Sequence, residues 1–144
     1  MSTTQPIRSK QLLHDFKEYY LTKQPNSRNY TLILIGLNTA LRINDILHLT
    51  WGDVYCTEHS RFYTHLLITE KKTEKETRIL INRELQETLL SYRKTQTSIA
   101  DTDYLFPSPR KADSPLSRYQ AYRIVRKAAE AVGIEDVIRC HSLR

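Results

Sequence analysis

Arg42, the lysines Lys71, Lys72 and Lys75, and the pair His141-x-x-Arg144 are the residues of this 144-residue chain best suited to holding an anion. Guanidiniums offer forked N–H donors, histidine moves protons near neutral pH, and a lysine ammonium is a point charge or an acid. Singly, each has a plainer role. Arg42 with Asp45 one turn later makes an ordinary i,i+3 surface ion pair. Lysines at a hairpin tip keep a strand edge soluble, and an isolated His-x-x-Arg arises by chance in many proteins. Cys56 and Cys140 stand far apart and outside any CxxC pair, so neither a disulfide framework nor a zinc site is suggested.

The charge balance narrows the choice. Lysine plus arginine number 22 against 16 aspartate plus glutamate, a net +6 that favours a polyanionic partner such as nucleic acid. With 40% hydrophobic residues and 3 glycines, disorder and low-complexity architectures do not fit, and one domain with a real apolar core is expected over 1–144. Residues 1–8 lack the apolar core of a secretion signal, and no apolar run approaches the roughly 18 residues that span a bilayer. A reducing cytosol is the expected compartment.

These residues need elements to position them. Ser9 can cap a helix in which Leu12, Leu13, Phe16, Tyr19 and Tyr20 recur at helical spacing, with a break at Pro25 to Ser27. From Arg28 through Leu37 the run Tyr30, Leu32, Ile33, Leu34, Ile35 and Leu37 is apolar nearly all round, which suits a central helix buried on most faces or a buried strand, and its length favours the helix. Ile43, Ile46 and Leu47 share a stripe on a short third helix with Arg42 at its start. Phe62 to Ile68 and Ile79 to Ile81 flank the charged tip 70–76 as a hairpin, with Val54 to Thr57 as a third strand. Asn82 can cap a helix carrying Leu85, Leu89 and Tyr92, and a long surface loop follows over Thr95 to Pro115. Ser117 and Gln120 form a capping box ahead of Ala121, Ile124, Val125, Ala128 and Val132, and Gly133 stands where a helix C-cap belongs.

Order and setting then change the meaning of the charged residues. The stretch Asn38-Thr39-Ala40-Leu41-Arg42-Ile43-Asn44-Asp45-Ile46-Leu47, running on through Trp51-Gly52-Asp53-Val54, resembles the first arginine box of the tyrosine recombinases, the phage integrase family. The segment from Ile68 to Ile79 is similar to that family's lysine-bearing hairpin. Tyr104-Leu105-Phe106 resembles its loop before the last helices, and Cys140-His141-Ser142-Leu143-Arg144 its His-x-x-Arg box. The resemblance covers nearly the whole chain. It implies an α+β, mainly α-helical domain with a small antiparallel three-stranded sheet on one edge.

It also implies a chemistry. Arg42 and Arg144 would stabilise the charge gathering on the non-bridging oxygens of a phosphodiester under attack, better than lysines could. His141 would bond the phosphate or take the nucleophile's proton, and Lys72 would protonate the departing 5′-oxygen. Lys71 and Lys75 are the expected DNA contacts beside it, and Asp45 a buttress for the arginine region. Fixed cations replace a metal, so no cofactor is expected. The partners implied are duplex DNA and other recombinase protomers.

In that family a tyrosine attacks to give a 3′-phosphotyrosyl intermediate, which keeps the bond energy for rejoining. All nine tyrosines here precede Arg144, and Tyr104, Tyr119 and Tyr122 are expected to pack in the core or on a helix face. The expectation is therefore a catalytic domain incomplete at its C-terminal end, without the nucleophile and without the family's N-terminal clamp domain, and itself inactive. Two rivals remain: a non-catalytic DNA-binding relative, and a type IB topoisomerase.

Overall fold

The computed structural model describes residues 10–69 and 73–134. Helix α1 (Lys10–Glu18) runs into a π-helical turn (Tyr19–Lys23), and α2 (Ser27–Thr39) follows. Two short helices, α3 (Ile43–Leu47) and α4 (Trp51–Val54), lead into strands β1 (Tyr55–Cys56), β2 (Arg61–Phe62), β3 (His65–Thr69) and β4 (Glu76–Leu80). Helices α5 (Arg83–Lys94) and α6 (Arg118–Ala131) complete the described chain. Among the described residues no helix is long and apolar enough to cross a membrane.

Helix α2 is the axis of the fold. The Asn26 side chain accepts from the Asn29 N–H at 3.0 Å and starts the helix where Pro25 has ended the previous one. Leu32, Ile33, Leu34 and Ile35 are all buried, because α1, the π turn and α5 pack round it. Burying each such side chain stabilises by about 1.5–3 kcal/mol. Its polar residues Thr31 and Thr39 are buried too, and each donates its hydroxyl to a carbonyl one turn back, Ser27 and Ile35, at 2.7 Å. No polar hydrogen is stranded there.

The sheet is small. β3 and β4 form the expected hairpin, antiparallel with His65 opposite Leu80 and Thr69 opposite Glu76. The Val54–Thr57 segment gives a separate two-residue ladder, β1 with β2, rather than a third strand on the hairpin. Val54 itself closes α4, and a turn through Ser60 (φ 51°) folds the chain straight back so that Tyr55 and Cys56 pair with Phe62 and Arg61. In that turn region Cys56 is a free thiol; Cys140 lies outside the described residues.

Helices α5 and α6 begin as their sequences predict. Asn82 accepts from Leu85 N–H at 2.9 Å, and Ser117 and Gln120 exchange backbone-to-side-chain bonds at 3.1 Å. Gly133 follows α6 with φ 85°, the left-handed conformation that favours glycine at this position. Ser9, the expected cap of α1, lies outside the described residues. The loop 95–115 departs from expectation: it is polar and turn-rich, yet Leu105 and Phe106 within it are fully buried. Backbone bonds from Trp51 N–H to Asp103 O, Gly52 N–H to Asp101 O and Leu105 N–H to Leu49 O draw it into the core. Gly52 suits that approach, since a Cβ there would sit 3.0 Å from the Asp101 carbonyl oxygen and the loop would have to give by a few tenths of an ångström.

Candidate functional site

The site begins where α2 ends. Thr39 is the last helical residue, and Ala40 adopts the left-handed conformation (φ 56°, ψ 20°) that turns the chain out of the helix. Arg42 is then extended (φ −69°, ψ 149°) and serves as N-cap of α3, its carbonyl accepting from Ile46 N–H at 3.1 Å. Extended backbone alternates its side chains between two faces. Leu41 and Ile43 take the inward face and are buried, so Arg42 between them must face solvent, and it is exposed.

The plain role for this arginine is not filled. Among the described residues no ion pair or hydrogen bond engages the Arg42 guanidinium, and half-buried Asp45 does not take it. Within the following turn, His48 Nδ1 lies 2.8 Å from the Asn44 carbonyl, and the His48 ring meets the Tyr104 ring edge-on at 6.3 Å. Among the described residues, then, Arg42 is a guanidinium set between two buried neighbours with its donors open.

Of the other predicted site residues, Lys75 is exposed at the hairpin end, its backbone N–H bonded to Thr73 Oγ1 at 3.3 Å. Lys71 and Lys72, between β3 and β4 in the chain, and His141 and Arg144 lie outside the described residues. The hairpin's base is nevertheless joined to the Arg42 turn. Asn82, two residues beyond β4, donates from Nδ2 to Asn38 Oδ1 at 2.7 Å, and Asn38 sits in the last turn of α2. Among the described residues, no group of three or more His, Cys, Asp and Glu could hold a metal ion.

The tyrosines sort by environment. Tyr20 donates its hydroxyl to Ile124 O at 2.7 Å and Tyr92 to Leu105 O at 2.6 Å, and burial pushes both up to about 12. Burial, helped by the negative charges of Glu18 and Glu84, also raises Tyr30. Tyr55 lies beneath the Arg93 guanidinium at 3.8 Å. Tyr104 is half-buried, whereas Tyr119 and half-buried Tyr122 sit on a face of α6, Tyr119 being exposed.

That face of α6 carries a feature beyond its core-packing periodicity. Arg118, Arg123, Arg126 and Lys127 are exposed along it, with Arg123 over Tyr119 and Arg126 over Tyr122 at 5.8 and 5.9 Å. Glu130 pairs with Arg126 at 2.7 Å. A cleft of about 740 Å³ separates this face from Arg28 at the start of α2. The Tyr-to-Arg spacing of four residues is the sequence signal for it: helical neighbours that interleave cations with rings.

Comparison with known proteins defines the class. The fold is similar to that of XerA recombinase, with a TM-score of 0.74 at 20% identity over 97% of this chain and 48% of that one. A lambda integrase dimer bound to a COC′ core site gives 0.68 at 16% identity, over 99% of this chain and 50% of that one. The lambda integrase catalytic core gives 0.63 at 18% identity, over 96% of this chain and 78% of that one. The architecture is therefore that of the tyrosine recombinase catalytic core, and the chain spans about half the length of the first two of these. In sequence, residues 5–144 match the phage integrase family. A probable integrase/recombinase of Bacillus subtilis (strain 168), YoeC, is 43% identical over 144 residues, all of this chain and 72% of that protein. The chain belongs to the phage integrase family.

Proposed function

We propose that residues 1–144 form most of the catalytic domain of a site-specific recombinase that cleaves and rejoins duplex DNA through a 3′-phosphotyrosyl intermediate. The observation that carries this reading is the exposed Arg42, unengaged among the described residues and held between two buried residues inside an arginine box. Nothing in folding stability asks for a guanidinium there without a partner, whereas a scissile phosphate does.

In this reading Arg42 and Arg144 clamp the non-bridging oxygens, His141 bonds the phosphate or takes the nucleophile's proton, and Lys72 protonates the 5′-oxygen. Lys71 and Lys75 contact the duplex beside the cut. In this reading the attacking tyrosine is none of the nine present; for Tyr20 and Tyr92 the geometry supports this, since their hydroxyls are tied to carbonyls and held neutral, the reverse of what a nucleophile needs. The exposed cations of α6 extend the surface available to the phosphate backbone. DNA and further protomers as partners are supported by relatives in the same fold, among them a lambda integrase tetramer bound to a Holliday junction. A cytosolic location accords with such a substrate.

The test uses a nicked duplex whose cleavage releases a short strand, so that a covalent adduct accumulates. A protein that joins this chain to a downstream tyrosine gives a denaturant-resistant adduct that Arg42→Ala abolishes. Residues 1–144 alone give none. An adduct from 1–144 would place the nucleophile among the nine tyrosines, and binding without any adduct from the longer protein would make this a DNA-binding relative only.

A further inference from the structure

Two buried threonines of α2 make the same bond and differ in one respect. Thr31 and Thr39 each donate a hydroxyl hydrogen to the carbonyl one turn back, Ser27 and Ile35, at 2.7 Å. Thr31 is fully buried and Thr39 is 6% exposed, so at either position valine would offer the same shape with no hydroxyl to satisfy. The bond back along the helix does not by itself favour a helix. Among the described residues the Thr31 hydroxyl has no further partner. That of Thr39 also accepts the Leu41 N–H, at 3.4 Å.

The difference falls at the turn that presents Arg42. α2 stops at Thr39, and the left-handed Ala40 takes the chain off the helix axis. Leu41 is buried, and a buried N–H without an acceptor is costly. Thr39 Oγ1 supplies that acceptor from two residues back. The backbone is held a second time beyond it, where Arg42 O accepts from Ile46 N–H at 3.1 Å as α3 begins. One bond thus lies before the Arg42 Cα and one after it, and the buried side chains of Leu41 and Ile43 anchor the same stretch in the core. The origin and direction of the arginine side chain are set by that backbone.

We infer that Thr39 is a positioning residue: by accepting the Leu41 N–H it fixes the backbone that carries Arg42, and so sets where the guanidinium meets the scissile phosphate. This rests on the reading that Arg42 grips that phosphate. In the step concerned, the bond from the tyrosine oxygen to phosphorus forms as the bond from phosphorus to the 5′-oxygen breaks. The tyrosine's proton passes to a base, and the departing 5′-oxygen takes a proton from an acid. Charge on the non-bridging oxygens is what Arg42 answers, and a donor stabilises it only when aimed at it. Thr39 touches none of the reacting atoms, so its whole effect on the rate passes through Arg42.

The experiment measures single-turnover cleavage and duplex affinity in the longer, tyrosine-bearing protein. Thr39→Val is expected to slow cleavage about 10-fold or more, within the roughly 10²-fold that a 1 Å misplacement can cost, and to leave affinity near the wild-type value. Thr39→Ser keeps the hydroxyl and should cleave as wild type does. Thr31→Val makes the same exchange in the same helix away from the turn, and should also cleave as wild type does. If Thr39→Val fails to fold, Thr39→Ala removes the hydroxyl with a better helix former and is read in the same way. The deciding arm repeats the substitution in Arg42→Lys, where the guanidinium is already gone: the further loss from Thr39→Val should shrink to about 2-fold or less. A full loss persisting there, a loss matched by Thr31→Val, a Thr39→Ser as slow as Thr39→Val, or wild-type cleavage by Thr39→Val overturns the positioning role and leaves the phosphate grip standing. If Arg42→Lys itself loses binding and cleavage equally, the grip falls and the inference with it.

Discussion

Replacing Ala40 by glycine should stabilise this protein, against the usual effect of glycine near a helix. Ala40 has φ 56° and ψ 20°, and the left-handed region is disfavoured by about 1–2 kcal/mol for a residue with a Cβ. Alanine also lacks the polar side chain with which Ser60, Glu74 and Ser98, the other non-glycine residues at positive φ among the described residues, can bond locally. Opposing this, glycine adds unfolded-state entropy worth about 0.4–1 kcal/mol. Ala40 is exposed, so losing its methyl removes little packing. The difference favours Ala40→Gly by about 0.5–1 kcal/mol, or about 1–4 °C in Tm for a chain of this size. Urea unfolding followed by the fluorescence of Trp51 reads it as a higher midpoint with an unchanged slope. Gly133→Ala is the reciprocal control: φ is 85° with nothing within 4 Å of a new Cβ, so the conformational cost acts alone and stability should fall by about 1 kcal/mol. A lower midpoint for Ala40→Gly would refute the claim that the Arg42 turn is held under backbone strain.

Three further outcomes follow from the same structure. Tyr20 and Tyr92 are held neutral up to about 12 from an ordinary 10.0, so the stability they contribute is fully present below about 10 and is lost as pH rises toward 12; Tyr20→Phe and Tyr92→Phe should flatten that alkaline loss, and a titration of Tm that drops equally in the variants would contradict it. Arg93 spans α5 to α4 and β1 through the Tyr55 and Trp51 rings at 3.8 and 5.3 Å, so Arg93→Ala should lose about 1–2 kcal/mol in urea unfolding and Arg93→Lys less than the uncharged, similarly long Arg93→Met, an order that a purely steric role would not give. Residues 1–144 should bind duplex DNA weakly, with little sequence preference and a steep fall on adding salt, and Lys127→Ala should reduce the slope of log K against log salt by about 1; salt-independent binding would contradict this.

Much of the fold was legible because its signals are local. The Ser117–Gln120 box, the Asn82 cap and the Gly133 stop each act within four residues, and the apolar run of α2 declares its own burial. The rest depends on distant partners. Helix α4 is one turn long and exists because Thr50 N–H bonds Asp53 Oδ2 at 2.9 Å and the 101–105 segment pairs with it across the chain. That same pairing buries Leu105 and Phe106 inside a stretch whose composition reads as surface loop. For the site, the exposure of Arg42 follows from its place between Leu41 and Ile43, but the Asn38–Asn82 bridge joins residues 44 apart and has no sequence signature. The cationic face of α6 was written in its Tyr-to-Arg spacing, overshadowed there by the stripe that packs the core.

The central claim is that Arg42 grips the phosphate in the transition state rather than merely docking DNA, and Arg42→Lys tests it most directly. Lysine keeps the charge and the exposed position but offers no guanidinium fork. Binding of a core duplex and single-turnover cleavage are measured on the same longer, tyrosine-bearing protein. Affinity should change by less than about 10-fold, since one phosphate contact among many is at stake. Cleavage should fall on the order of 10²–10³-fold, the loss typical of removing a donor aimed at developing charge. Equal losses in binding and cleavage would reduce Arg42 to a docking residue and contradict the mechanism.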